Sequence, residues 1–435
     1  MDRHETDVPV RRFKLLPERF GTSPVLRGAA YLYGSTVTTS LLGFVFWLLA
    51  ARLLEPSAVG SASAVQSAAQ LVATVGILGL GTLSVAELSV DKRQVRHLVT
   101  ASCLVAGAAS TVGGLMTGIV LGHTSGHLGP SLDNVADLTV FSLLAGTTAA
   151  CLVLDDACIG LLRGDIQLVR NTVFAAAKLL LLPLAVYAWS AQHGEQVVVA
   201  WLLATAGSLV LAFRLVARVP ADTSWRPDFA NLIAKRSLIW NHHLLNVAVL
   251  VPRLVPPLVV AAVVSPAANA GFYTATFITG FVNIIPGQLS LALFAIAPGD
   301  EHALSRETRS SLRLCAVLAV ASAVVFGFGS HPILDVFRHS YVSAAPAMTL
   351  LGLGTFPYAI KAHYVAIARV RGRMGQAAVI ATIAAGIEIG GVGAGAALDG
   401  VTGTAAGLLA AWIVEALVFA PTVISVLRPS AGGDR

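Results

Sequence analysis

Arg253 is the residue of this sequence whose surroundings point most clearly to chemistry. It lies within a long apolar run and has three prolines as near neighbours, Pro252, Pro256 and Pro257. A charge near the centre of a bilayer costs about 2.5–3.5 kcal/mol on insertion scales. Prolines favour a kinked helix, which is tolerated there when it packs against protein or lines a water-filled cavity. Because arginine binds phosphate bidentately, we expect Arg253 either to anchor a phosphate or an acidic sugar, or to pair with a carboxylate or with carbonyl groups that the kink frees.

Lys178 and two neighbouring aspartates form a second group of charges within apolar runs. Asp155 and Asp156 precede the inner end of one predicted helix, and Lys178 lies in the next helix. At about 1.5 Å per residue, all three side chains lie roughly 7–12 Å below the inner surface. We therefore expect an ion pair between Lys178 and Asp155 or Asp156. The alternative is a site for a coupling ion or for substrate.

Glu388 and Glu415 form a third group, together with Lys361. The two glutamates belong to consecutive predicted helices and lie close to the membrane midplane. Carboxylates at this depth can share a proton or bind Na⁺, and they could equally pair with Lys361 or Arg253. The candidate substrate-binding residues are Arg253, Lys361 and Lys178, and the candidate ion-coupling residues are Glu388, Glu415, Asp155 and Asp156.

The cysteines do not add a metal or redox site to these groups. All four lie within apolar runs and none has the spacing of a metal ligand or of a CxxC motif: they are Cys103, Cys151, Cys158 and Cys315. They have the character of small core residues. We expect neither a metal nor a cofactor.

The composition requires a membrane environment for these charges. The chain has 435 residues, of which 56% are hydrophobic and only 12% are charged, whereas soluble domains carry about a quarter charged residues. So few charges cannot solvate a globular surface, and lipid is the solvent that tolerates such a chain. The formal net charge of +6 is attributed to membrane orientation, and no nucleic-acid partner is expected.

Twelve apolar runs approach the roughly 20 residues that a spanning helix needs. They are 28–50, 64–86, 98–121, 137–160, 171–190, 196–213, 238–262, 270–297, 314–334, 342–368, 374–397 and 403–427. If the N-terminus is inside, 24 of the 29 Lys and Arg residues fall in inner segments and two, Arg52 and Arg338, fall in outer loops. This asymmetry predicts a multi-pass protein with both termini in the cytoplasm. No extramembrane segment is long enough for a catalytic domain, so we do not expect an enzyme.

Two sequence matches predict an internal duplication. Leu53–Gly60 resembles Val263–Tyr273 at an offset of 210–211, and Leu161–Asp165 resembles Arg369–Arg373 at an offset of 208. Two parallel six-helix units with a cleft between them are typical of alternating-access transporters. The predicted divisions are a cytoplasmic basic arm 1–27, an N-terminal lobe 28–217, a cytoplasmic linker 218–236, a C-terminal lobe 237–427 and a cytoplasmic tail 428–435.

Three segments resemble those of bacterial polysaccharide flippases, the Wzx-type branch of the MOP exporter superfamily. They are Leu48–Gly60, Gly76–Gly81 and Gly160–Asp165. The resemblance extends over the whole chain in length and helix order. It implies an all-α, MOP-exporter-like membrane fold of about twelve helices in two six-helix lobes around a central cavity, in the bacterial plasma membrane, with coupling to an ion gradient.

The function that the resemblance implies is export of an undecaprenyl-diphosphate-linked oligosaccharide from the inner to the outer leaflet. The expected partners are the lipid-linked glycan, membrane lipids, and a glycan polymerase and glycosyltransferases. The main alternative is a cation-coupled drug antiporter of the same superfamily, whose cavity would be dominated by carboxylates. A membrane enzyme and a non-transporting partner in cell-envelope assembly are further alternatives.

Overall fold

The computed structural model describes residues 24–189, 194–220, 224–234, 236–296 and 301–427. Most of the predicted basic arm and the predicted tail 428–435 therefore lie outside the described residues. The predicted linker 218–236 is described only in part. Within the described ranges the chain is all-α, as predicted.

Fourteen α-helices follow one another in the described part of the chain. They are α1 Pro24–Leu53, α2 Pro56–Gly76, α3 Leu80–Val90, α4 Val95–Thr124, α5 Val135–Gly160, α6 Gly164–Ala188, α7 Glu195–Val216, α8 Phe229–Ala234, α9 Arg236–Val259, α10 Pro266–Ile296, α11 Glu301–Phe337, α12 Ala345–Leu353, α13 Thr355–Val370 and α14 Met374–Leu427. The composition favours long helices, because apolar and small residues dominate every long run. Prolines at the first helical position begin α2 and α10.

Several of these helices are bent, interrupted or divided. The pair α2 and α3 is one span bent by 54°, and α12 and α13 are separated only by Gly354. The helix α14 consists of two arms, 374–398 and 401–427, because Asp399 and Gly400 have non-helical backbone angles. By length and hydropathy alone, eight helices in the described residues qualify as spans, or nine with the bent pair. Each arm of α14 corresponds to one of the spans predicted at 374–397 and 403–427.

The predicted boundaries differ most where prolines and glycines stand. The second span begins at Pro56 rather than at residue 64, and α11 extends over 301–337 rather than 314–334. The span predicted at 342–368 is interrupted at Gly354. Most of the residues that α2 adds before position 64 are buried, and they include Gly60, Ser61 and Ser63, which lower the mean hydropathy without ending the helix.

The structure supports the internal duplication and corrects its offset. Pro56 opens α2 and Pro266 opens α10, 210 residues apart. Leu162 and Gly372, also 210 apart, both have positive φ, of 56° and 68°. In each of these turns the following N–H donates to the carbonyl five residues earlier, which is the pattern of a helix ending in a left-handed residue. The offset of 208 was wrong because it aligned two glycines, whereas the equivalent of Gly372 is a leucine.

The two predicted lobes contact each other through α2, which lies along α9 and α10. Gly60 of α2 approaches α10 so closely that a Cβ atom there would lie 1.6 Å from the carbonyl oxygen of Pro266. The Nδ2 atom of Asn269 donates to the Gly60 carbonyl at 2.8 Å and to the Ser63 hydroxyl at 3.0 Å. The lobes are therefore closed at this end, which the charge asymmetry predicts to be the outer one.

Two arginines add a reciprocal contact at the same end. Arg52, at the end of α1, donates to the carbonyl of Val336 at the end of α11. Arg338 donates in return to the carbonyl of Leu54 at 2.8 Å. These are the two basic residues that the sequence places in outer loops, and both connect the N-terminal half to the C-terminal half.

Candidate functional site

A cavity of about 380 Å³ lies among α9, α10, α13 and α14, with Thr36 of α1 at its edge. Its wall is mainly apolar, but it includes the side chains of Arg253, Lys361, Arg369 and Glu388. The cavity extends from the middle of α9 to the last turn of α13, and it belongs largely to the C-terminal half of the chain.

Arg253 faces this cavity and is exposed within it. Its guanidinium carbon lies 4.8 Å from the ring centroid of Tyr358, which is a cation–π distance. No carboxylate of the described residues forms a salt bridge with it. The salt bridge predicted as one alternative for Arg253 is therefore not formed among the described residues, and Glu388 is the carboxylate that lines the same cavity.

The prolines around Arg253 do not break the helix where the sequence suggested. The α-helix continues through Pro252, Pro256 and Pro257 to Val259, and the irregularity follows as a π-helical segment, Val260–Val264. The irregular backbone therefore lies beyond the part of α9 that lines the cavity, at the end of the helix.

Lys361 is held between two glutamates. Its ammonium group donates to Glu388 and lies 3.0 Å from an oxygen of Glu415. All three side chains are buried, with exposed fractions of 2–5%. The two glutamates come from the two arms of α14, so the turn at Asp399 and Gly400 brings them together. Among the predicted alternatives, pairing with Lys361 is the one observed.

The charge of this group is not balanced. Two carboxylates share one ammonium, so a proton or a second cation is needed to complete the pairing. Burial makes an unpaired carboxylate costly. The role of Glu388 and Glu415 in ion coupling therefore stays a prediction.

Arg369 was missed by the sequence analysis, which treated it as part of an inner loop. It lies in the last turn of α13, on the same face as Tyr358, Lys361 and Val365, with spacings of three, seven and eleven residues from Tyr358. Its guanidinium donates to Asn246 at 3.2 Å, while its buried Nε atom has no hydrogen-bond partner among the described residues. The helical spacing from Lys361 was the signal that could have identified it.

The predicted ion pair between Lys178 and Asp155 or Asp156 was wrong. Asp155 instead accepts two hydrogen bonds from Arg170, at 2.9 Å and 2.5 Å. Asp155 and Arg170 lie about equally far from the α5–α6 turn, so they face each other across the hairpin. The fork of a guanidinium also matches a carboxylate better than an ammonium does. The prediction used depth below the membrane surface and ignored the register of the hairpin.

Lys178 is surrounded by aromatic rings. Its ammonium lies 3.9 Å from the ring centroid of Trp201, 4.8 Å from that of Phe46 and 4.9 Å from that of Phe174. The side chain is 4% exposed and forms no salt bridge to another described residue. Cation–π contacts thus replace the expected carboxylate. Lys178 does not line the cavity that contains Arg253 and Lys361.

The remaining ion-coupling candidate, Asp156, lies at the break between α2 and α3. Gly81 leaves room for it, since a Cβ atom at residue 81 would lie 1.9 Å from a carboxylate oxygen of Asp156. The four candidates therefore form two separate pairs, Asp155 with Asp156 in the N-terminal half and Glu388 with Glu415 in the C-terminal half. In the described ranges no group of three or more His, Cys, Asp or Glu residues is placed to hold a metal ion.

Solved structures with the same fold cover almost the whole chain. An inward-facing multidrug resistance MATE family transporter of the MOP superfamily has a TM-score of 0.67 and 12% identity, over 90% of this chain and 96% of that one. The MATE multidrug transporter DinF-BH, solved in a complex, has a TM-score of 0.66 and 14% identity, over 94% and 98%.

A third similar structure is a MOP superfamily transporter from Pyrococcus furiosus Vc1, described as having a binding pocket of reverse polarity. Its TM-score is 0.57 and its identity 14%, over 93% of this chain and 96% of that one. No family model and no curated protein matches the sequence. At these identities the likeness shows the fold. The all-α, MOP-like membrane fold predicted from the sequence is confirmed, and the chain is a multi-pass membrane protein.

Proposed function

We propose that this protein is an alternating-access transporter that moves an anionic, lipid-linked substrate across the membrane. The observation that carries the proposal is the presence of two arginines, Arg253 and Arg369, in one cavity, neither of which forms a salt bridge to a described carboxylate. Glu388, which lines the same cavity, is paired with Lys361. A cation within the membrane that has no salt-bridge partner is costly, so the cavity is suited to a ligand that brings negative charge. Guanidinium groups bind phosphate oxygens bidentately.

The resemblance to Wzx-type flippases supplies the substrate class. We propose an undecaprenyl-diphosphate-linked oligosaccharide, whose diphosphate would lie between Arg253 and Arg369. A cavity of about 380 Å³ lies at the small end of ligand pockets, which are roughly 300–1,000 Å³. The site therefore suits the diphosphate and the sugar next to it, while the remaining sugars and the polyprenyl chain stay outside.

The same cavity offers a route for ion coupling. An anion that attracts Lys361 competes with Glu388 and Glu415 for the ammonium group. Carboxylates that lose their cation while buried are stabilised by taking up a proton, so anion binding and proton uptake would favour each other, as thermodynamic linkage requires. Asp155, fixed by Arg170, has a structural role in this account. Asp156 is the N-terminal coupling candidate.

The lobe arrangement is suited to the movement. The lobes meet closely at the predicted outer end through Gly60, Asn269 and the two arginines Arg52 and Arg338. Opening this contact while the opposite end closes would expose the site to the other side, as in parallel-repeat transporters.

A drug antiporter is the second candidate, because two of the similar solved structures are of multidrug transporters. An organic cation would need a carboxylate in the cavity, and Glu388 and Glu415 would serve if Lys361 released them. The two functions differ in the sign of the substrate charge, so comparing transport of an anionic and a cationic substrate separates them.

The test is transport by the full chain in liposomes, with a fluorescent polyprenyl-diphosphate glycan and with a rhodamine cation. The wild type should flip the glycan lipid. Arg253→Ala should lower the rate by about 10- to 100-fold, since a charge-assisted hydrogen bond contributes about 1.5–3 kcal/mol, and Arg253→Lys should retain part of the rate. Arg218→Ala, an exposed arginine outside the cavity, is the matched control. Full activity of Arg253→Ala at equal protein levels, or transport of the rhodamine alone, would contradict the proposal.

A further inference from the structure

Three arginines lie on one exposed face of the first turns of α11. Arg306, Arg309 and Arg313 are spaced by three and four residues, which places them on the same side of a helix. All three are exposed, and with Ser305 and Ser310 they line a groove of about 440 Å³. The face therefore combines guanidinium groups with hydroxyl groups. Among the described residues that line the groove, none carries a carboxylate.

An exposed apolar stripe continues the same face of α11. Val317, Val320, Val324 and Phe328 follow Arg313 at helical spacing and are 66%, 66%, 53% and 87% exposed. In a membrane protein, large apolar side chains with this exposure contact acyl chains. The three arginines thus lie at the end of this apolar stripe, which places them at the depth of the lipid headgroups.

The arginines are only lightly engaged by the protein itself. Arg309 donates to the carbonyl of Leu427, at the end of α14, at 2.7 Å. Arg306 pairs at 3.0 Å with Glu307, and the arginine is 71% exposed, so this surface pair contributes little. Arg313 forms no salt bridge to another described residue. Most of the donors in the groove are therefore available to a ligand.

We infer that this groove binds the headgroup phosphate of an anionic phospholipid, with an acyl chain along the stripe that begins at Val317. The positive-inside tendency explains a surplus of basic residues on the predicted inner side of the membrane. It does not require that these residues share one helix face with an apolar stripe. Basic residues near an anionic leaflet each contribute about 1 kcal/mol of attraction, and phosphate is the group that arginine forks match. The site is separate from the cavity that contains Arg253.

The test is native mass spectrometry of the purified full chain with added phosphatidylglycerol or phosphatidylcholine. We expect phosphatidylglycerol to bind preferentially. Arg306→Gln/Arg313→Gln should weaken it about 30-fold, at about fivefold for each arginine. The matched control is Arg214→Gln/Arg218→Gln, which also removes two exposed charges from the predicted inner side of the membrane, but outside the groove. Size-exclusion profiles and melting temperatures would establish that both variants fold.

Three results would overturn the inference. Phosphatidylglycerol occupancy could be unchanged in the Arg306/Arg313 variant, or could fall equally in the control variant. Displacement of the bound lipid by millimolar inorganic phosphate would show a free-phosphate site instead of a lipid site. Since the glycan transport assay does not use these residues, failure here leaves the proposed function standing, and the reverse also holds.

Discussion

Replacing Gly60 with alanine should separate the two lobes at their predicted outer end. The new Cβ atom would lie 1.6 Å from the Pro266 carbonyl oxygen, and real Cβ contacts essentially never fall below 3.0 Å, so α2 and α10 must part by at least 1.4 Å. A shift of this size takes the hydrogen bonds of Asn269 to Gly60 and Ser63, now 2.8 Å and 3.0 Å, beyond bonding range.

The expected effect follows from those two hydrogen bonds. At about 0.5–1.5 kcal/mol each, their loss disfavours the closed outer end by roughly 1–3 kcal/mol, or about 5- to 150-fold in the ratio of closed to open forms. Alanine is the better helix former by about 1 kcal/mol. A loss of closure therefore cannot come from a weakened helix.

Spin labels at Leu53→Cys and Val336→Cys would report the separation by pulsed electron resonance. The native cysteines of the described chain are buried, so labelling should be confined to the new positions. Gly280→Ala, in α10 but with nothing within 4 Å of its Cβ position, is the control. An unchanged distance distribution in folded Gly60→Ala protein, or an equal change in Gly280→Ala, would refute the reasoning.

Two other perturbations have predictable outcomes. Lys361→Leu leaves Glu388 and Glu415 without a cation and should destabilise the protein by about 3–5 kcal/mol. Adding Glu388→Gln and Glu415→Gln should recover most of the lost melting temperature in detergent, and no recovery would contradict the buried triad. Arg52→Leu with Arg338→Leu removes both reciprocal donors and should favour the open outer end by about 2 kcal/mol, or roughly 30-fold. The same spin-label pair measures it, and a distribution like that of the wild type would count against the contact.

The sequence was sufficient to predict the all-α membrane fold and the duplication, since both leave their pattern over long stretches of the chain. Hydropathy gives membrane spans because lipid contact requires apolar residues over a whole helix. The repeat was visible because Pro56 and Pro266 start equivalent helices. Its second match was placed two residues off, since the left-handed position is occupied by Leu162 in one copy and Gly372 in the other.

Partner assignments could not be predicted, because they depend on helix register and rotation. Depth alone paired Lys178 with Asp155, whereas the register of the hairpin pairs Asp155 with Arg170. Arg369 was taken for a loop residue because the end of α13 was placed too early. In contrast, the pairing of Lys361 with Glu388 and Glu415 was among the predicted alternatives, since few charges are available at that depth.

Anion binding in the cavity that contains Arg253 and Arg369 is the basis of the proposed function. The most direct measurement is calorimetric titration of the purified full chain with a short-chain polyprenyl diphosphate, beside an organic cation of similar size. The account predicts diphosphate binding that weakens about 10- to 100-fold in Arg253→Ala and in Arg369→Ala, with Arg218→Ala unchanged. Equal diphosphate affinity in all four proteins, or binding of the organic cation alone, would contradict it.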